Sequence, residues 1–211
     1  MFVQKKKKEN YLYNLNIIFF LMEPDNSGFI PLTIIFLGQS NTGKTSLIQK
    51  YKFGREFEFP IIHNYTLNFD IYNRAIFLED DVKIKCEIWD TIGLECGKDL
   101  TLNNCNNTNG AVFVFDICNK ESFENLNDYI IRYKKMCDNS NKAFFGLVFG
   151  NKSDKKNKRE ITYDEANIFS VKYGMKYYEV TAIKDRKSFA PIERAMEDFI
   201  TLIIKSYKTK K

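Results

Sequence analysis

Gly38-Gln39-Ser40-Asn41-Thr42-Gly43-Lys44-Thr45 fits the phosphate-loop pattern G-x-x-x-x-G-K-[ST]. The run before it, Leu32-Thr33-Ile34-Ile35-Phe36-Leu37, is short, apolar and rich in branched residues, as expected of a fully buried strand. Beyond it, Leu47, Ile48 and Tyr51 recur at helical spacing. The motif therefore has the setting it needs: strand, loop, helix. Gly38 and Gly43 let the backbone curl without a Cβ clash, so that successive N–H groups form an anion nest at a helix N-terminus. Gly38, Ser40, Asn41, Thr42, Gly43, Lys44, Thr45 and Ser46 are the candidate phosphate contacts. Lys44 is placed to reach the β- and γ-phosphates, and the Thr45 hydroxyl to ligate Mg²⁺. This stretch points to a nucleoside triphosphate but specifies neither the base nor the reaction.

The rest of the chain sets bounds on what surrounds that loop. Its 211 residues suit one α/β domain with tails, and 44% hydrophobic content excludes global disorder. The net charge of +5 sits in lysine runs, which argues for solvated loops and against nucleic-acid binding. Five cysteines without a C-x-x-C pair suit reduced thiols in a cytoplasmic protein. Residues 1–31 are expected to be a partly disordered extension. Its apolar run Tyr11–Met22 is too short for a membrane span. It lacks a small-residue cleavage site, which leaves an extension, an interfacial anchor, or a natural start at Met22.

Further along, strands are expected over Phe69–Leu78, Val82–Asp90, Ala111–Asp116, Ala143–Phe149 and Tyr177–Val180. Helices are expected over Glu121–Cys137, from the capping box Thr162-Tyr163-Asp164-Glu165, and through Phe189, Ile192, Met196, Phe199 and Ile203. The Asn-rich stretch Leu94–Gly110 is expected to be mobile, and the lone histidine, His63, to be an ordinary loop residue. The alternation predicts an α/β fold with three layers: a mostly parallel six-stranded sheet with helices on both faces and ligands beyond the strands' carboxyl ends. The main domain is expected over 32–204, with a basic tail over 205–211.

Three further segments carry a family resemblance. Trp89-Asp90-Thr91-Ile92-Gly93 resembles the D-x-x-G element of GTPases, Asn151-Lys152-Ser153-Asp154 the N-K-x-D guanine element, and Thr181-Ala182 the S-A element beside the base. With the phosphate loop, in this order, they resemble a Ras-superfamily small GTPase of the P-loop NTPase fold. Ile88-Trp89-Asp90-Thr91 and Phe115-Asp116-Ile117 with Glu121-Ser122-Phe123 resemble the Rab branch, and Phe123-Glu124-Asn125-Leu126 with Gly97-Lys98-Asp99-Leu100 faintly resembles a subgroup numbered twenty-eight. The resemblance implies a GTP/GDP switch with Mg²⁺, acting in membrane traffic. Asp154 can accept two hydrogen bonds from guanine, whereas adenine would leave that carboxylate unpaired. Asn151 can bridge base and phosphate loop, and the Lys152 stem can cover the base plane. Thr181, Ala182 and Ile183 would lie beside the guanine carbonyl, with Ile183 where the family has Lys. Phe57 would cover the guanine edge, with Phe59 as the alternative. Thr66 would join Thr45 in the Mg²⁺ shell, with Asp90 acting through water and the Gly93 N–H holding the γ-phosphate.

The departures from the family matter as much. Leu94 replaces the water-positioning Gln, and Ile92 replaces Ala. The catalytic set expected from the resemblance is therefore Lys44, Thr66 and Gly93 without that Gln. Hydrolysis should be slow, or the protein should serve as a GTP-bound interaction module with little turnover. Effectors, exchange factors and activating proteins would meet the loops near 57–70 and 91–105. No cysteine lies in Ser206–Lys211, so no prenylation site is expected there. Localisation is expected to be cytoplasmic, with weak peripheral contact on the cytosolic face of internal membranes.

Overall fold

The computed structural model describes residues 25, 28–54, 70–78, 81–91, 107–183 and 189–208. In chain order these form β1 (Phe29–Leu37), α1 (Lys44–Phe53), β2 (Asp70–Phe77), β3 (Lys83–Asp90) and β4 (Gly110–Asp116). Then come α2 (Lys120–Glu124), α3 (Leu126–Asn139), β5 (Gly146–Asn151), α4 (Tyr163–Lys172), β6 (Lys176–Glu179) and α5 (Phe189–Lys208). Among the described residues the strands make one six-stranded sheet in the order β2-β3-β1-β4-β5-β6. Only the β2–β3 pair is antiparallel.

The layers follow from the side-chain patterns. Every residue of β4 is buried, as a central strand covered on both faces requires. On one face, Leu47, Ile48 and Tyr51 of α1 and Ile192, Met196, Phe199 and Ile203 of α5 pack on Ile34, Phe36, Ile88 and Val112. On the other, Leu126, Ile130, Tyr133 and Cys137 of α3 recur at helical spacing and cover Ile35, Phe113 and Phe115. Thr162 and Glu165 form the expected capping box at the start of α4. No helix among the described residues is long and apolar enough to cross a membrane.

Several boundaries differ from expectation, each for a local reason. β1 begins at Phe29 instead of Leu32, because Phe29 and Ile30 already pair with Lys83 and Ile84 and an exposed Pro31 is accommodated within the strand. The helix expected over Glu121–Cys137 is two helices that meet at Asn125, a weak helix former. β5 begins at Gly146; before it, only the Phe145 carbonyl joins the ladder, accepting from Ala111 N–H. β6 is shifted by one residue, to Lys176–Glu179. α5 continues four residues past 204, since the buried Ile203 and Ile204 are followed by Tyr207 packed on Phe145. The end of the stretch expected to be mobile is fixed: the Thr108 and Tyr133 hydroxyls bond at 2.9 Å, and Asn109 clasps Thr33 through two bonds of 2.8 Å.

Candidate nucleotide-binding site

The phosphate loop leaves the carboxyl end of β1 and enters α1. Gly38 has φ +147°, and a Cβ there would lie 2.1 Å from the Val114 carbonyl oxygen of β4. Gly43 has φ +91°, and its Cβ would meet the Asn151 side-chain amide at 2.3 Å. Both positions therefore exclude a side chain, through backbone conformation and close approach together. Asn41 also takes a left-handed conformation, which Asn tolerates better than most residues. The Thr42 hydroxyl donates to the Gln39 carbonyl at 2.9 Å. No side chain caps α1, so its first N–H groups face the loop without a side-chain acceptor, the arrangement that attracts a phosphate. Lys44 is buried and donates to the carbonyls of Gly38 and Gln39 at 2.8 and 3.0 Å. Burial lowers its pKa to about 8, against the attraction of Asp90.

Asp90 stands at the end of β3, fully buried. Its Oδ2 accepts from the Thr45 hydroxyl at 2.6 Å, while its Oδ1 is buried without a hydrogen-bond partner among the described residues. Burial pushes its carboxyl up to about 6, despite the Thr45 bond and the nearby Lys44. Burial thus outweighs the mutual attraction of Lys44 and Asp90, and neither charge is fully compensated by the protein. An unpaired buried carboxylate oxygen beside a hydroxyl suits a hard cation. With one carboxylate and one hydroxyl the corner is not an all-protein cage; that fits Mg²⁺, which keeps waters and takes oxygens from bound phosphates. Next in sequence, the Thr91 hydroxyl donates to the Phe36 carbonyl at 2.7 Å and ties the end of β3 to β1.

The third corner lies past β5. Asn151 Nδ2 donates to the Thr42 carbonyl at 2.7 Å, bonding this segment directly to the phosphate loop, and its Oδ1 is buried without a partner among the described residues. Lys152 adopts φ +64°; its Nζ donates to the Asn41 carbonyl at 2.9 Å and pairs with Asp116 at 2.6 Å. Asp154 accepts from the Thr181 hydroxyl at 2.5 Å, and the Ile183 N–H donates to that same hydroxyl at 3.2 Å. Ser153 N–H donates to the Val180 carbonyl, so the loops after β5 and β6 are held together. Ala182 is buried and Ile183 exposed. The described candidates therefore converge beyond the carboxyl ends of β1, β3, β5 and β6. Phe57, Thr66, Gly93 and Leu94 lie outside the described residues, as do Phe59, His63 and Ile92.

Residues 33–204 match the Ras family. The chain belongs to that family. Among its relatives, mouse (Mus musculus) Ras-related protein Rab-39A is 32% identical over 175 residues, 79% of this chain and 78% of that protein. Human (Homo sapiens) Ras-related protein Rab-8B is 31% identical over 169 residues, 80% of this chain and 75% of that protein. Ras-related protein rab-39 of Caenorhabditis elegans is 31% identical over 154 residues, 71% of this chain and 64% of that protein. The chain is thus a Rab-like small GTPase that binds guanine nucleotide.

In this Rab-like GTPase, sequence reasoning missed several supports of the site. Asp116 is read from the sequence as a strand end and part of the Rab-like Phe115-Asp116-Ile117 segment, with no site role, yet it pairs with Lys152 and accepts from the Cys118 N–H at 2.9 Å. An acidic residue closing the all-apolar run Ala111–Phe115 was the available signal. Arg159 grips Glu179 with both nitrogens, at 2.6 and 2.7 Å, and so ties the segment after Asp154 to β6. Gln39 donates to Glu121 at 3.1 Å, joining the phosphate loop to α2. Those last two pairs had no signal in the sequence, because each depends on which loop meets which strand or helix in space.

Proposed function

We propose that this Rab-like GTPase is a membrane-traffic switch that binds GTP and GDP with Mg²⁺ and hydrolyses GTP slowly on its own. The observation that carries this reading is the Thr45–Asp90 pair with its unpaired carboxylate oxygen, beside a buried Lys44. Thr45 and Asp90 would hold Mg²⁺, Asp90 through water, and Thr66 would join them in the GTP state. Bound Mg²⁺ would supply positive charge to the phosphate oxygens. Lys44 gives up its loop carbonyls to those oxygens, and the uncapped N–H groups of α1 add their dipoles. Asn151, Lys152 and Asp154 read the base, with Thr181, Ala182 and Ile183 beside it and Phe57 over its edge. The Gly93 N–H and the Thr66 hydroxyl respond to the γ-phosphate, so its loss releases the loops near 57–70 and 91–105 to different partners.

Slow turnover follows from Leu94. Hydrolysis needs an attacking water held in line, and a carboxamide both accepts from and donates to that water. Leu94 does neither, and its apolar side chain opposes a water there. Binding groups are untouched, so the bound state is biased toward GTP. Single-turnover hydrolysis of preloaded GTP tests this: Leu94→Gln should speed it with little change in affinity. Equal rates for the two proteins would refute it. Absence of turnover in both, with effector binding intact, would favour the GTP-bound interaction module instead.

A further inference from the structure

We infer that Arg74 of β2 is a positioning residue for the cation corner, acting through α1 from its opposite end. The inference rests on the reading that Thr45 and Asp90 hold Mg²⁺. α1 is ten residues long, and among its contacts with the sheet are hydrogen bonds at both of its ends. At its start, Thr45 bonds to Asp90 at the end of β3. At its last turn, Arg74 Nη1 donates to the Tyr51 carbonyl, and the guanidinium lies 4.0 Å over the centre of the Tyr51 ring. Arg74 Nη2 in turn donates to Glu193, in the first turns of α5, at 3.1 Å.

The chain geometry makes these two pins one frame. Arg74 stands opposite Cys86 in the β2–β3 ladder, and Cys86 precedes Asp90 by four residues on the same strand. Four strand residues span about 13 Å, and the six helical steps from Thr45 to Tyr51 span about 9 Å. α1 therefore runs back along β3, held at both ends of the stretch that carries Thr45. Tyr51 is buried in the core between the sheet and α5, and Arg74 holds both its carbonyl and its ring, so the guanidinium sets the angle at which this end of the helix is held. Thr45 is half-buried, and its hydroxyl donates to Asp90 of β3. Loss of the Arg74 pin lets α1 pivot, and the Thr45 hydroxyl moves relative to Asp90.

A local role is also present. The Tyr51 carbonyl is one of the helix's terminal acceptors, and the neighbouring Lys50 carbonyl accepts from the cap N–H of Gly54. A cation there also suits the helix dipole. A pure capping role predicts lost stability and nothing more; the positioning role predicts altered Mg²⁺ dependence as well. Glu193, partly exposed, fixes the guanidinium from the α5 side, so its effect should be smaller and of the same sign.

The test measures release of a fluorescent GDP analogue from the full chain across buffered free Mg²⁺, with thermal unfolding alongside. Arg74→Met should raise the Mg²⁺ concentration that half-protects the nucleotide by about fivefold, within the range of coupling through packed networks. Arg74→Lys keeps the charge but not the fork and should recover only part of the shift. Glu193→Gln should shift it about twofold, which keeps the inference testable if Arg74→Met folds poorly. A lower melting temperature with an unchanged half-point in all three variants would overturn the positioning role. If release from the unaltered protein is itself independent of Mg²⁺, the Thr45–Asp90 reading fails first, and this inference with it.

Discussion

Replacing Asp90 with Asn should stabilise the protein under one condition and cripple it under another. Without Mg²⁺, the fold raises this carboxyl from 3.8 to about 6, chiefly by burial. At about 1.4 kcal/mol per unit, the ionised form costs the fold roughly 3 kcal/mol. The sign follows from proton binding. Below the unfolded value both states are protonated and the group costs nothing. As pH rises from about 4 to 6 the unfolded chain loses its proton first, so stability falls, and the full cost is present above about 6. Asn removes the charge while its carbonyl still accepts from the Thr45 hydroxyl. Its new amide N–H groups need partners, at a cost of about 1 kcal/mol or more. The net gain should be about 1–2 kcal/mol at pH 7.5, a melting rise of a few degrees for a chain of this size. Thermal unfolding in a chelator at pH 7.5 and 5 measures it: the gain should be clear at the first pH and shrink at the second. With Mg²⁺ and GDP the order should reverse, because the variant loses linkage to the bound ion. A variant that melts lower than the unaltered protein in chelator at pH 7.5 would refute the view that Asp90 is an under-compensated charge.

Asp154→Asn exchanges an acceptor oxygen for a donor amide, so competition binding should shift preference from GTP toward XTP. ATP competing as well as GTP against the unaltered protein would count against the guanine assignment. Gly38→Ala should destabilise the fold by about 3 kcal/mol or more, because its Cβ would press on the backbone of β4, which cannot yield; urea unfolding gives the value. Lys205, Lys208, Lys210 and Lys211 should bind anionic vesicles at about 1 kcal/mol each at low salt and release them at high salt. Sedimentation that is unaffected by salt would point to insertion of an apolar segment instead.

What was legible in the sequence was whatever local pattern determines. The apolar runs before the phosphate loop and over Ala111–Phe115 marked central strands, because strands covered on both faces have no polar alternation to hide them. The Thr162–Glu165 box marked a helix start, because both of its bonds are made within four residues. The boundaries were less legible where tertiary pairing overrides local preference, as when β3 recruits Phe29 and Ile30 across Pro31. Asn109 is the sharpest case. It lies in an Asn-rich run that composition discounts, yet its side chain takes the Thr33 N–H and its own N–H the Thr33 carbonyl, which fixes the entry to β4. In the site, residue types at fixed spacing were legible, and their supports were not. Asp116 with Lys152, Arg159 with Glu179, and Gln39 with Glu121 act across 20 residues or more, where no periodicity reports them.

The distribution of groups explains how binding and turnover can separate in such a protein. The phosphate loop, Asp90 and the Asn151–Asp154 segment are carried on the ends of strands within one sheet, and side chains bond them to one another: Asn151 to Thr42, Lys152 to Asn41 and Asp116, Thr45 to Asp90. Each of those bonds presents an acceptor or donor before any ligand arrives, which lowers the ordering cost of binding. A change at one position there disturbs several contacts at once: a Cβ at Gly43 alone would meet the Asn151 amide that holds Thr42. In the proposed mechanism the water-positioning place, by contrast, is a single side chain, and a Leu there would subtract from the transition state while leaving the ground-state contacts intact, lowering turnover without lowering affinity. On the proposed reading, a chain that keeps this linked set while Leu94 stands at the water-positioning place holds guanine nucleotide and turns it over slowly.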